Sequence, residues 1–236
     1  PWMVDQRPGD NLYVATTVAI DAQTGKIKGH FQYNPNESWD WDEVSPPLLI
    51  DFRRNGRTIK GLINASRSGY LWFLERTNGP IRFVDGKPYV NQTVYRSLDP
   101  KTGRPDVNLD AKPGTDKEAT YCPSLHGGKN WPPAAYSPRT RMMYIPANNN
   151  LCQTLAGAPI TYVKGQAFTG TRPGGGTNLL PGADHVGEVQ AWNVDTGQKA
   201  WTHTYKMANW GPLLATGGGL VFGGGTPDQK FRAFDA

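Results

Sequence analysis

The chain has 236 residues, enough for a sizeable core in one or two domains, and it is rich in glycine (28), proline (20) and aromatic residues (11%). Its formal net charge of +5 is mixed along the chain, and the longest basic cluster, Arg53, Arg54, Arg57 and Lys60, is too sparse for a nucleic-acid-binding surface. No apolar run approaches the roughly 18 residues that cross a bilayer, so we expect no membrane span.

The composition favours strands over helices. Many glycines, prolines, tryptophans and tyrosines are typical of short strands joined by tight turns, which predicts an all-β fold. No window longer than about ten residues has a clean helical apolar stripe. In chain order, the predicted strands are residues 48–52, 59–65, 70–74, 134–136, 142–145, 213–215 and 220–222. Predicted turns separate them at residues 54–56, 66–69, 137–140 and 217–219.

A short pattern recurs along the chain. Residues 19–29 read Ala-Ile-Asp-Ala-Gln-Thr-Gly-Lys-Ile-Lys-Gly, residues 191–201 read Ala-Trp-Asn-Val-Asp-Thr-Gly-Gln-Lys-Ala-Trp, and residues 233–236 open the pattern again, 42 positions after Ala191. Weaker copies cover residues 74–79 and 98–103.

The repeated pattern has a physical meaning. Its Asp or Asn can cap a turn that Thr-Gly closes with glycine at positive φ, and the following Trp can pack between neighbouring sheets. A period near 42 residues with one such hairpin predicts W-shaped, four-stranded blades of a β-propeller. We therefore expect a single propeller domain over residues 1–236, with coincidental hairpins as the alternative.

Two carboxylates stand out in the run Trp39-Asp40-Trp41-Asp42. In an extended strand, Asp40 and Asp42 lie on one face with Cα atoms about 6–7 Å apart, close enough to share one hard cation. The two indoles then face the other way or line the walls of the site. The alternative is two exposed acids on a loop beside two buried tryptophans.

Two long segments, residues 99–133 and 157–183, predict irregular loops, which in a compact domain usually cross between elements or carry function. Their glycine runs fit no phosphate-binding loop. Cys122 and Cys152 are 30 positions apart, and the pair alone does not decide between a disulfide and two buried thiols. The four histidines form no metal-binding pair and are interpreted as loop or surface residues: His30, His126, His185 and His203.

Several stretches resemble the pyrroloquinoline quinone (PQQ) dependent alcohol dehydrogenases. The repeat is similar to the tryptophan-docking motif of that family. The other matching stretches are Arg7-Pro8-Gly9-Asp10-Asn11-Leu12-Tyr13 with residues 18–26, Tyr33-Asn34-Pro35-Asn36-Glu37-Ser38-Trp39-Asp40, and Gly127-Gly128-Lys129-Asn130-Trp131-Pro132-Pro133 with Tyr136-Ser137-Pro138. The resemblance covers essentially the whole chain, which is under half of a typical member. Because the family fold is an eight-bladed propeller, it implies about four blades here.

The resemblance implies catalytic and metal-binding roles for the paired carboxylates. Asp40 matches the family's catalytic base, which also contacts the metal. Asp42 occupies the position where lanthanide enzymes carry Asp and calcium enzymes carry a small residue. The resemblance thus implies a lanthanide ion bound by Asp40 and Asp42, with Ca²⁺ as the alternative.

The resemblance also implies a set of PQQ-binding residues. Arg67 lies 27 positions after the base, as does a quinone-binding arginine of the family. Asn130 matches an asparagine that contacts PQQ, and Trp210 lies where a tryptophan sits near the quinone. Cys122 and Cys152 match a disulfide pair in related enzymes.

The implied activity is oxidation of a primary alcohol (methanol, ethanol or similar) to the aldehyde by hydride transfer to PQQ. Electrons would pass to a c-type cytochrome in the periplasm, and a homodimer is one option for the assembly. The sequences Gly9-Asp10-Asn11-Leu12-Tyr13 and Val18-Ala19-Ile20-Asp21 resemble ethanol-type members more than methanol-type members. The alternatives are a non-catalytic propeller scaffold or binding protein, and a calcium-type or sugar-oxidising quinoprotein.

Two departures from the family pattern affect these expectations. Gly29 stands where the first repeat would carry its tryptophan, so one docking contact is expected to be lost. The family's metal-binding Glu and Asn, and the Trp that stacks on PQQ, would precede Pro1. The chain starts without an initiator methionine and stops inside a repeat, so we interpret it as a piece of a longer protein that is inactive alone.

Overall fold

A computed structural model describes residues 4–159, 161–172 and 174–236. The described residues form nineteen strands and two short 3-10 helices, at Val4–Gln6 and Leu109–Ala111. The strands are β1 Thr16–Ile20, β2 Ile27–Gln32, β3 Phe52–Arg54, β4 Arg57–Ile59, β5 Gly61–Ala65, β6 Tyr70–Arg76, β7 Ile81–Pro88, β8 Tyr95–Leu98, β9 Pro105–Val107, β10 Glu118–Tyr121, β11 Ala135–Ser137, β12 Met142–Asn148, β13 Leu151–Ala156, β14 Gly176–Leu179, β15 Gly187–Asn193, β16 Gln198–Tyr205, β17 Leu213–Ala215, β18 Leu220–Gly223 and β19 Arg232–Asp235. The all-β prediction is confirmed. Among the described residues, no helix is both long and apolar enough to cross a membrane.

Four antiparallel sheets follow one another along the chain. Their strand orders are β1-β2, then β5-β6-β7, then β11-β12-β15-β16, and finally β17-β18-β19. The second sheet gains a fourth, innermost element where Leu48 pairs with Ile63. Strands β10, β13 and β14 form a separate sheet, and β3-β4 and β8-β9 are isolated hairpins. This order agrees with about four propeller blades.

The predicted strand over residues 48–52 is wrong. Leu48 makes a single bridge to Ile63, residues 49–51 are unpaired, and β3 begins at Phe52. Pro46 and Pro47 precede this stretch and supply no backbone N–H for a ladder. The predicted strand 59–65 is also divided, because β4 pairs with β3 while β5 pairs with β6.

The repeated hairpins are capped as their sequence predicts. Asp21 Oδ1 accepts hydrogen bonds from the backbone N and the hydroxyl of Thr24, at 2.9 and 2.8 Å. Asp99 holds Thr102 in the same way, at 2.7 and 2.8 Å. The closing glycines have positive φ, as shown by Gly25 at 69°. Side-chain capping thus fixes the turns whose spacing suggested a propeller.

Three buried clusters fill the interfaces between successive sheets. The first joins Phe31 of β2 to Trp72 of β6, the second joins Phe73 of β6 to Met143 of β12, and the third joins Tyr144 of β12 to Val221 of β18. The two middle sheets therefore bury both faces against their neighbours, because one blade cannot do so alone, while β1-β2 and β17-β18-β19 each have one such interface.

The tryptophan of the repeat packs where predicted. Trp201 of β16 lies 5.9 Å from the ring of Tyr144 in its own sheet and 6.1 Å from Phe234 in the next sheet. In the first repeat, Gly29 occupies that position. A Cβ there would lie 2.3 Å from the carbonyl oxygen of Gly79, so the two backbones approach too closely for any larger side chain.

Cys122 and Cys152 form a disulfide, which confirms the pairing that the resemblance implied. Their Cα atoms are 4.2 Å apart, well within the limit of about 7 Å. The bond lies at the end of the ladder in which Tyr121 of β10 pairs with Gln153 of β13. It closes a loop with a sequence separation of 30 residues.

We expect removal of this disulfide to cost about 3–4 kcal/mol of unfolding free energy, because a closed loop of this length restricts the unfolded chain. The measurement is denaturant unfolding of the full-length protein carrying both Cys122→Ser and Cys152→Ser. Thr120→Ala is the control, since it removes only an exposed hydroxyl contact to Thr154 from the same ladder. A loss no larger than that of the control would contradict the expectation.

Candidate functional site

The loop that follows β2 is built around Trp39 and Trp41. Both indoles are fully buried, and their rings stack with centroids 5.1 Å apart. Trp39 Nε1 donates to the carbonyl of Ala111 at 2.7 Å, and Trp41 Nε1 donates to the carbonyl of Ser124 at 2.9 Å. Each indole therefore gains both burial and a hydrogen bond, and together they anchor the intervening Asp40 to two distant segments.

The expectation that Asp40 and Asp42 lie on an extended strand is wrong. Residues 33–47 pair in no ladder, and Asp40 adopts a left-handed conformation with φ of 66°. Aspartate is one of the few non-glycine residues that enters this region readily. The result resembles the alternative weighed from the sequence, a loop beside buried indoles, except that Asp40 is half-buried while Asp42 is exposed.

Arg67 brings a buried cation to the two carboxylates. It lies on the hairpin between β5 and β6, only 7% exposed, with Nη1 3.9 Å from Asp42 Oδ2. Its guanidinium donates to the carbonyl of Leu125, and its Nε is buried with no hydrogen-bond partner among the described residues. A buried donor without an acceptor is costly, so this atom is a candidate donor to a bound group.

Burial dominates the electrostatics of Asp40. It raises the pKa of the Asp40 carboxyl, the negative charge of Asp42 raises it further, and the charge of Arg67 acts in the opposite direction. Asp40 thus holds a proton more readily than a fully solvated aspartate does.

Two further charged residues, Glu43 and Lys129, lie near Arg67. Glu43 accepts the backbone N–H of Arg67 at 3.0 Å and the side-chain amide of Asn64 at 2.9 Å. Burial raises the pKa of Glu43 to about 7. Lys129, only 2% exposed, donates to Ser45 Oγ and to the carbonyl of Asn130, and burial lowers its pKa to about 8.

The Gly-Gly pair of the matching stretch allows the loop over residues 124–131 to approach Arg67. Gly127 has φ of 75°, and a Cβ there would lie 2.5 Å from Arg67 Cβ. The backbone N–H of Gly128 donates to the carbonyl of Arg67 at 3.0 Å. Gly127 is therefore needed because the two backbones are in direct contact, whereas a Cβ at Gly128 would lie 2.6 Å from Val90 Cγ2 and 2.8 Å from the Tyr89 hydroxyl.

We expect Gly127→Ala to destabilise the full-length protein more than Gly25→Ala does. Both positions have positive φ, but no atom lies within 4 Å of a Cβ at Gly25. The shared backbone cost is about 1–2 kcal/mol, and the clash with Arg67 adds about 1–3 kcal/mol. Denaturant unfolding of the two variants measures the difference, and equal losses would show that the Arg67 contact relaxes freely.

Asn130 and Trp210 meet next to Arg67, around His126. Asn130 Nδ2 donates to the carbonyl of His126 at 3.1 Å, and Asn130 Oδ1 accepts the backbone N–H of Trp131 at 2.8 Å. The Trp210 ring meets the His126 ring edge to face, with centroids 5.3 Å apart. The structure thus brings the predicted residues into one region, although the Asn130 amide already makes two local bonds.

Four residues of this region were not predicted as site residues: Glu37, Glu43, Lys129 and His126. Glu43 directly follows the Asp-Trp-Asp run, and Lys129 lies inside the Gly-Gly-Lys-Asn-Trp stretch. Their position beside or inside a family-like motif was therefore the sequence signal that could have identified them as site residues. The half-buried His126 was interpreted only as a loop or surface residue, and burial together with the charge of Arg67 lowers its pKa.

The carboxylates do not form a complete metal site. The described part of the chain contains no group of three or more His, Cys, Asp or Glu residues that could hold a metal ion. Asp40 and Asp42 could supply two oxygen donors to a hard cation, which usually takes six or more.

The sequence of the chain matches known proteins. Residues 2–97 match the family model for PQQ: glucose/ethanol/alcohol dehydrogenase, beta-propeller domain. The chain is 34% identical to quinoprotein alcohol dehydrogenase PedH of Pseudomonas putida, over 100% of this chain and 40% of that protein. The putative dehydrogenase XoxF of Paracoccus denitrificans is 32% identical, with the same coverage of both chains.

The chain belongs to the PQQ-dependent alcohol dehydrogenase family. A solved europium-containing methanol dehydrogenase superimposes over 100% of this chain and 42% of its own, with a TM-score of 0.86 and 25% identity. The quinohemoprotein alcohol dehydrogenase of Comamonas testosteroni superimposes over 95% of this chain and 34% of its own, with a TM-score of 0.79 and 29% identity. The chain therefore spans about 40% of the length of the curated relatives it matches.

The residues present fit a bound quinone of this family. The unpartnered Nε of Arg67 offers a donor to an oxygen of the cofactor, and the fork geometry of a guanidinium suits carboxylate and quinone oxygens. The carboxylate oxygens of Asp40 and Asp42 fit part of the coordination shell of a hard cation.

Proposed function

We propose that this chain carries part of the active site of an enzyme that oxidises a primary alcohol, such as methanol or ethanol, to the aldehyde. The observation that carries the proposal is the half-buried Asp40 beside Asp42 and the buried Arg67 guanidinium. A non-catalytic propeller has no need to hold Asp40, Asp42 and Arg67 together in one region.

When bound, PQQ would supply the hydride acceptor for the alcohol, and a lanthanide ion would supply a Lewis acid. In this proposal Asp40 takes the hydroxyl proton on a carboxylate oxygen. Arg67 would hold the cofactor through its guanidinium donors and would supply positive charge beside it. Asn130 and Trp210 are further PQQ contacts in the proposal, since both lie at the loop that touches Arg67.

Asp42 favours a lanthanide over Ca²⁺ in this proposal. Its side chain is 63% exposed, so its carboxylate is free to turn towards a cation shared with Asp40. The europium-containing methanol dehydrogenase among the solved structures gives independent support. Asp40 and Asp42 would then both be metal ligands, with the remaining ligands supplied by the cofactor and by other parts of the protein.

The electron acceptor we propose is a c-type cytochrome. The Comamonas relative is described as a quinohemoprotein, which pairs the same kind of dehydrogenase with haem. The disulfide supports an oxidising compartment, and we propose the periplasm.

The test is alcohol-driven dye reduction by the full-length protein reconstituted with PQQ and a metal ion. We expect activity with a short primary alcohol and none without PQQ. No alcohol-dependent reduction with any combination of PQQ, LaCl₃ and CaCl₂ would overturn the proposal in favour of the non-catalytic scaffold. Activity with aldose sugars alone would indicate a sugar-oxidising quinoprotein.

A further inference from the structure

A buried glutamate lies behind the proposed base. Glu37 is only 1% exposed, on the loop between β2 and Trp39. Its Oε1 accepts the backbone N–H of Trp39 at 2.6 Å and that of Trp41 at 2.9 Å. These two N–H groups belong to the residues on either side of Asp40, so one carboxylate oxygen spans the peptide segment that carries the base.

This arrangement addresses a specific conformational problem. Asp40 has φ of 66°, a left-handed conformation that costs a non-glycine residue about 1–2 kcal/mol. Backbone N–H groups around a left-handed residue turn to one side and form a concavity that binds an anion. The Glu37 carboxylate fills that concavity, and the conformation of Asp40 is held by an acceptor from its own loop.

Stability alone does not explain a carboxylate at this position. Burying a carboxylate costs more than burying an apolar side chain of similar size unless hydrogen bonds compensate. Only Oε1 of Glu37 makes such bonds, while Oε2 is buried with no hydrogen-bond partner among the described residues. An apolar residue could fill the same buried space, but it would leave the N–H groups of Trp39 and Trp41 without an acceptor.

We propose that Glu37 is a positioning residue for Asp40, holding the peptide groups on both sides of it and thereby fixing the direction of its carboxylate. The inference rests on the proposed role of Asp40 as the base. The positioning role requires the hydrogen-bond acceptor of Glu37 and does not require the charge of its carboxylate.

Two substitutions of Glu37 separate its hydrogen-bond acceptor from its negative charge. Glu37→Gln keeps a carbonyl oxygen at the same distance along the side chain and removes the charge. Glu37→Met keeps the length and removes the acceptor. Ser38→Ala is the matched control, because it deletes another buried hydrogen bond of the same loop, from Ser38 Oγ to the carbonyl of Pro113 at 2.5 Å, without touching the N–H groups beside Asp40.

The first measurement is amide hydrogen exchange in the full-length protein, read on peptides covering residues 38–42. We expect exchange at Trp39 and Trp41 to be at least about tenfold faster in Glu37→Met and within about threefold of wild type in Glu37→Gln, since each lost bond opens an amide to water. Unchanged exchange in Glu37→Met would overturn the proposal without any reference to activity.

The second measurement is the kinetics of alcohol-driven dye reduction. We expect kcat to fall roughly 10²-fold in Glu37→Met with the KM for alcohol nearly unchanged, because a shift of about 1 Å in a reacting group costs that much. Glu37→Gln and Ser38→Ala should stay within about threefold of the wild-type kcat. A loss in Glu37→Gln as large as in Glu37→Met would overturn the proposal, since charge would then be the required property.

Two further outcomes are also decisive. If Glu37→Met does not fold, Glu37→Gln decides alone: wild-type exchange and kcat support the acceptor role, and a loss of about tenfold or more in kcat overturns it. If the wild-type protein shows no alcohol oxidation at all, the proposed function fails, while the exchange comparison still determines whether Glu37 holds the loop.

Discussion

Asp40→Asn in the full-length enzyme should lower kcat for alcohol oxidation by about 10²–10⁴, the usual contribution of a general base. Asparagine has the same shape but accepts no proton at neutral pH. It also tolerates the left-handed conformation that Asp40 adopts, at φ of 66°, so the fold should survive. The measurement is dye reduction at saturating alcohol after reconstitution with PQQ and metal.

The control for this variant is Asp106→Asn, which makes the same chemical change at an exposed position on β9. It should leave kcat unchanged. Retention of PQQ binding by Asp40→Asn separates loss of the base from loss of the site. A kcat within about tenfold of wild type would contradict the role of Asp40 as the base.

Asp42→Ala should cost lanthanide activation far more than it costs PQQ binding. A trivalent ion needs more negative charge around it than Ca²⁺ does, and at contact distance each unit charge contributes roughly several kcal/mol even at an effective dielectric constant near 20. The folded state should be little affected, because Asp42 is 63% exposed and its contact with Arg67 spans 3.9 Å.

The measurement is dye reduction by apo-enzyme with PQQ, titrated separately with LaCl₃ and CaCl₂. We expect the wild type to respond to La³⁺ and Asp42→Ala to lose most of that response. Asp51→Ala is the control, since it removes a similarly exposed carboxylate paired with an arginine, at 2.7 Å from Arg76. Equal activation of the wild type by both ions, or by Ca²⁺ alone, would rule out the lanthanide assignment.

The sequence predicts regular parts of this fold well because their determinants are local. The Asp-x-x-Thr-Gly hairpins contain both the capping side chain and the glycine that closes the turn, and Asp21 and Asp99 cap as expected. Trp201 reaches Phe234 of the next sheet because its position on β16 follows the turn at a fixed distance. Spacing alone was therefore sufficient for the repeated hairpins.

The loop of Asp40 was predicted less well because its determinants are not local. Alternation predicts a strand over Trp39-Asp40-Trp41-Asp42, and the tryptophans do lie together. Their positions depend on carbonyl groups of Ala111 and Ser124, more than 70 residues away in sequence. Glu37 and Lys129 were missed for a similar reason, since a charged residue in a polar loop shows no sign of burial until its partners are known.

A single bridge between Leu48 and Ile63 stands where the second sheet would have a fourth strand. The rest of the segment from Tyr33 to Asp51 pairs in no ladder. In a strand, any insertion of one residue would turn every following side chain to the opposite face. A segment held by indoles and a glutamate has no such register to preserve. Descendants of this protein could lengthen, shorten or re-aim the acidic loop while the blade beside it keeps its shape, so the loop that carries Asp40 can evolve independently of its scaffold.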